Sequence, residues 1–155
     1  MDWTPATPLV MSRSRHHVRT LATRTDYHAR MFEIDRDAFA AMVLRAMDGL
    51  PDAFRAQVTN LDLAVEDAAP AEDYARTRTP PGSTLLGVYR GIPLTKRGAH
   101  YNMALPDTIV IFQQPIQRMA RDEADLEERV RRVVRHEVAH YFGISDERLH
   151  ELDAY

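Results

Sequence analysis

The chain has 155 residues, a formal charge of −3, nine prolines and no cysteine, with 45% hydrophobic and 28% charged residues. That length and balance fit one globular domain with its own core, and they exclude a disordered chain. The absence of cysteine rules out disulfides, thiolate nucleophiles and sulfur-ligated metals, and no run of 18 apolar residues provides a transmembrane helix.

Residues 1–30 carry five arginines against Asp2 and Asp26, a local +3 that leaves −6 on residues 31–155. They show neither a helical nor a strand period and no secretory apolar core, so they read as a basic, flexible N-terminal extension. The adjacent His16 and His17 fall in it, outside any expected site. The domain is expected over 31–155, in the cytoplasm. Its acidity argues against a broad nucleic-acid surface, which needs clustered Lys and Arg to displace counterions.

Order begins at Ile34. Asp35 is a good N-cap, Ile34 and Phe39 fit a hydrophobic staple across it, and Phe39, Met42, Val43, Ala46, Met47 and Leu50 recur at helical spacing. Gly49 and Pro51 end this helix. Asn60–Val65 alternates Leu61, Leu63 and Val65, predicting a strand. Residues 67–83, rich in Ala, Pro and acids, read as a loop with at most a helical turn. Leu85–Tyr89 is a second short strand, followed by an irregular stretch, Gly91–Asn102. His100 and Tyr101 in that stretch read as ordinary loop residues rather than substrate contacts.

Thr108–Phe112 is apolar and β-branched, bounded by Pro106 and Pro115. It reads as a central strand, with pairing to an extended peptide as the less favoured alternative. A long helix is predicted from Asp122 to Tyr141, with acids crowding its positive N-terminal half. Gly143 supplies the left-handed residue that stops it. Ser145 or Asp146 then caps a last helix containing Leu149 and Leu152. Tyr89 and Tyr141 read as packing groups.

The chemistry concentrates in His136-Glu137-Val138-Ala139-His140. Two histidines one helical turn apart differ by about 40° around the axis, so both imidazoles reach one ion. With seven His and nine Glu, a chance H-E-x-x-H arises in roughly 2% of shuffled chains. On the helical wheel Glu137 falls inside the apolar stripe of Val130, Val133 and Val138. A carboxylate there is costly unless compensated, and packing gives no reason for it. A general base acting on a metal-activated water does. Asp146, six residues past His140 and beyond the Gly143 reversal, is the candidate third ligand. Helix capping is its alternative role, and Glu147, His150 and Glu151 compete with it as ligands.

The spacing H-E-x-x-H-x-x-G-x-x-D resembles zincin metallopeptidases, with Asp146 where the metzincin branch places a third histidine. No methionine follows Met119 and only nine residues follow Asp146, so the metzincin Met-turn is missing. The chain is more similar to the small bacterial minimal zincin-like family. That resemblance covers Met31–Tyr155, including Leu86–Thr95, Leu105-Pro106-Asp107 and Asp146–Leu152. It implies an α+β fold: a small mixed sheet of about three strands beside an active-site helix, with an N-terminal helix and a short C-terminal helix. It also implies a Zn²⁺-dependent peptidase with His136, His140 and Asp146 as metal ligands and Glu137 as catalytic base. Its partner would be a peptide or protein substrate, without membrane or nucleic acid. The rival readings are a non-catalytic metal-binding module and a metal-dependent endoribonuclease.

Overall fold

The computed structural model describes residues 33–98 and 105–151. The expectations for the N-terminal extension, for His16, His17, His100 and Tyr101, and for Leu152 in the last helix lie outside the described residues. The elements run α1 (Arg36–Asp48), α2 (Asp52–Arg55), β1 (Leu61–Glu66), α3 (Ala71–Thr77), β2 (Gly87–Arg90), a 3-10 turn (Leu94–Lys96), β3 (Asp107–Phe112), α4 (Gln113–Met119), α5 (Glu123–Tyr141) and α6 (Asp146–Glu151). The architecture is the α+β one expected.

The sheet order is β1-β3-β2, with β3 parallel to β1 and antiparallel to β2. Central position explains the continuous apolar run of β3, because both of its faces are covered. Ile109 and Ile111 join Phe39, Met42 and Val43 of α1 and Val130, Val134 and Val138 of α5 in the main core. Val110 and Phe112 face the other way, into a smaller cluster with Val88. Since both edges of β3 are paired, the peptide-pairing alternative for that strand is discarded.

The α1 signals act as read: the Asp35 side chain accepts from the Ala38 N–H at 2.8 Å, and Ile34 packs on the core that holds Phe39. Asp122 caps α5 by accepting from the Asp125 N–H at 2.8 Å.

Local sequence reasoning missed three elements or their extent. Pro115 does not stop structure after β3. It sits third in α4, within the first turn, where its missing N–H costs no helical hydrogen bond. The short α2 follows Pro51. Within the expected loop 67–83, α3 makes two turns, fixed by tertiary contacts. Its Asp73 is fully buried and pairs with Arg90, which also bonds Glu66 of β1 at 2.9 Å. The second strand is shifted by one to two residues: Leu86 already accepts from the Phe112 N–H at 2.9 Å, but the paired ladder runs Gly87–Arg90. Among the described residues no helix is long and apolar enough to cross a membrane.

Candidate metal site and catalytic carboxylate

The end of α5 is built by a tight reversal. Gly143 has φ +85°, its N–H donates to the His140 carbonyl and the Ile144 N–H donates to that of Ala139, each at 2.9 Å. This is the paired closing pattern of a glycine-stopped helix. A Cβ at Gly143 would collide with Thr95, so the packing excludes a side chain as firmly as the dihedral does. The reversal brings α6 back over the last turn of α5. Ser145 caps α6, its Oγ accepting from the Arg148 N–H at 3.4 Å. Asp146 is therefore not the cap.

His136 and His140 meet with Nε2 atoms 3.0 Å apart, and Asp146 Oδ1 lies 3.1 Å and 3.2 Å from them. Tetrahedral ligands on bonds of 2.0–2.1 Å stand about 3.3–3.4 Å apart, so three donors at this spacing fit one small ion. Orientation agrees with distance. His140 Nδ1 lies 2.9 Å from the Ile144 carbonyl, which can only accept, so Nδ1 carries the proton and the Nε2 lone pair faces the trio. Burial and the neighbouring His140 lower the His136 pKa, with Asp146 opposing, which favours the neutral ring that ligation requires.

Among the described residues, the trio is the cluster able to hold a metal. Glu147 is turned to Ser145 and to its own backbone N–H, which hold its pKa below the usual range, and Glu151 pairs with Arg148 at 2.7 Å. Glu147, His150 and Glu151 do not join the cluster.

Glu137 is only 5% exposed. Burial pushes its pKa up to about 8; the Tyr89 backbone N–H opposes this, and the Asp146 charge adds to it. The Tyr89 bond follows from sheet register. Leu86 bonds β3, so Val88 and Arg90 also turn their backbone groups to β3, while those of Gly87 and Tyr89 face the open edge. Gly87 lets α5 approach that edge: a Cβ there would stand 2.7 Å from Val133 Cγ1 and 3.1 Å from Glu137 Oε1.

Residues 58–155 match the family model for zincin-like metallopeptidases, nearly two-thirds of the chain. The chain belongs to that family. No curated protein matches it significantly. Among solved structures it is similar to a conserved hypothetical protein from Thermus thermophilus, at 20% identity and a TM-score of 0.47, over 70% of this chain and 94% of that one. Zincin-like metallopeptidases are a metal-binding family, and the donor trio gives this member residues suited to an ion.

Sequence reasoning missed the groups behind the zincin-like site. Tyr89 donates its hydroxyl to Asp107 at 2.7 Å, and Asp107, nearly buried, also pairs with Arg97. The Arg97 guanidinium stacks 4.8 Å over the Tyr141 ring. Tyr141 Oη in turn donates to the Thr59 carbonyl and accepts from its N–H, both at 3.0 Å. The two tyrosines read as packing groups thus also tie β2, β3 and the end of α5 together. No local spacing signals such a link, because its members are spread over 80 residues of chain.

Proposed function

We propose that this protein is a Zn²⁺-dependent peptidase. The observation that carries the reading is the juxtaposition of an ion-sized trio, His136, His140 and Asp146, with a buried carboxylate, Glu137, one residue away on the same helix.

The two imidazoles and the Asp146 carboxylate would hold the ion and leave a position for water or substrate. When bound, zinc supplies Lewis acidity, polarising a carbonyl and making water a better nucleophile near neutral pH. The rest falls to the chain. Glu137 takes the proton of the attacking water and passes it to the departing amine, so the carboxylate ends as it began. The Tyr89 N–H fixes one face of that carboxylate, and the shell of Gly87 and Val133 keeps bulk water away from it. The Ile144 carbonyl holds the His140 ring in register. Peptide or protein is the substrate class, and the acidic body makes RNA the poorer fit.

Glu137→Gln tests the assignment. The variant should bind zinc like the wild type and lose about 10²–10⁴-fold in peptide hydrolysis, the usual worth of a positioned base. Equal hydrolysis at equal zinc occupancy would refute the role of Glu137.

A further inference from the structure

Two openings flank the trio along α5. One of about 580 Å³ lies on the side of His136 and Glu137, and one of about 220 Å³ lies past His140. They differ in charge. In the larger, Arg129 and Arg132 are offset by Asp125 and Glu128, at 3.2 Å and 3.5 Å between the paired atoms. The smaller is lined by His140, Ile144 and Ser145 at the end of α5, and by Tyr89, Pro93 and Lys96 from β2 onward. No carboxylate lines it.

Lys96 is the only lysine of the chain, and the way its turn is held sets it apart. The 3-10 turn Leu94–Lys96 is closed by the Lys96 N–H, which donates to the Pro93 carbonyl at 2.8 Å. Thr95, just before it, packs so closely on Gly143 that no Cβ fits there. Arg97, just after it, donates Nε–H to the Ile92 carbonyl at 2.9 Å and pairs with Asp107. Both neighbours are thus anchored to the frame of the site. The Lys96 side chain is exposed, and no hydrogen bond or ion pair holds it among the described residues. Nearby acids are already engaged, Asp107 by Arg97 and Tyr89, and Glu147 by Ser145. On an otherwise acidic body, an unpartnered cation fixed at its backbone beside the ligand His140 is a place for an incoming anion.

We propose that this hollow is a subsite for a carboxylate of the bound peptide, either an acidic side chain or the chain's own C-terminus, and that Lys96 receives it. The inference rests on the peptidase reading for the nature of the ligand, and binding tests it apart from cleavage.

The probes are N-acetylated, C-amidated alanine-based hexapeptides carrying one Glu, Gln or Lys at each position in turn, with a matching series of shorter peptides ending in a free carboxylate. They are titrated by calorimetry into zinc-loaded Glu137→Gln protein and offered to wild type for cleavage. One placement of a carboxylate should bind about five-fold or more tighter than its neutral counterpart, and kcat/KM should follow the same order. The two series tell an acidic side chain from a chain end. Lys96→Met should erase the preference, Lys96→Glu should turn it toward Lys peptides, and Lys96→Arg should keep most of it. Raising salt from about 0.05 M to about 0.5 M should shrink it. These variants should melt as wild type does, because Lys96 is exposed and unpaired. Arg135→Met removes an exposed cation outside the hollow and should keep the preference. A carboxylate preference without any cleavage would uphold the subsite and sink the peptidase reading; cleavage without the preference would do the reverse. A preference that survives in Lys96→Met, as when the carboxylate goes to the ion, or that Arg135→Met removes equally, would overturn the assignment.

Discussion

Replacing Gly87 by alanine is the sharpest probe of how the fold serves the site. The added methyl would sit 2.7 Å from Val133 Cγ1, where carbon atoms prefer about 3.5–4.0 Å, and 3.1 Å from Glu137 Cγ and Oε1. Strand and helix must separate, or both side chains must turn aside. Overpacking of this kind costs about 1–3 kcal/mol. Removing a glycine from the unfolded chain returns about 0.4–1 kcal/mol, so the net loss should be about 0.5–2 kcal/mol by urea denaturation. Catalysis should suffer more than stability. A shift of a few tenths of an ångström in Glu137 is expected to lower kcat/KM about 10–100-fold, as for misplaced catalytic groups generally. The atoms nearest the added methyl belong to Val133 and Glu137 and none to the trio, so zinc affinity should stay within about three-fold of wild type. Three measurements on one variant separate these effects: a urea melt, a zinc titration and peptide hydrolysis. A variant with wild-type stability and turnover would show that the close approach of β2 to α5 does not position Glu137.

Asp107→Ala removes the carboxylate that pairs with Arg97 and accepts from Tyr89 in a nearly buried setting, and should cost about 3–5 kcal/mol in a denaturant melt. Tyr141→Phe removes both hydrogen bonds to Thr59 while keeping the ring under Arg97, and should cost about 1–3 kcal/mol without altering zinc affinity. Zinc at 100 times its dissociation constant should raise the unfolding free energy by about 2.7 kcal/mol and the Tm with it, an increase that chelator reverses and His136→Ala abolishes. A melt that zinc does not move would count against a formed site.

Much of the site was legible because its signals are local. The one-turn spacing of His136 and His140, the placement of Glu137 in the apolar stripe and the stop at Gly143 all lie within eight residues of one another on one helix and its end. The wheel position of Glu137 predicted its burial, which the packing against Gly87 explains. Asp146 stayed open between two roles, since capping and ligation use the same residue type at the same place. Only the three-dimensional return of α6 assigns the cap to Ser145. In the fold, α1, β3 and α5 were readable from periodicity and caps. The second helical turn of α3 was not, because its buried Asp73 depends on Arg90, 17 residues on. Helix α4 was hidden by a proline that usually signals a break and here fits the first turn. The Tyr89–Asp107–Arg97–Tyr141 linkage, assembled from four separate segments, left no trace in local pattern.

The most direct measurement is metal stoichiometry and affinity of chelator-stripped protein on zinc titration, with His140→Ala and Asp146→Ala alongside. The three-donor site predicts one zinc per wild-type chain, with affinity lowered by at least about 10-fold in each variant. Wild-type protein that takes up no zinc, or an Asp146→Ala variant that binds as tightly as wild type, would contradict it.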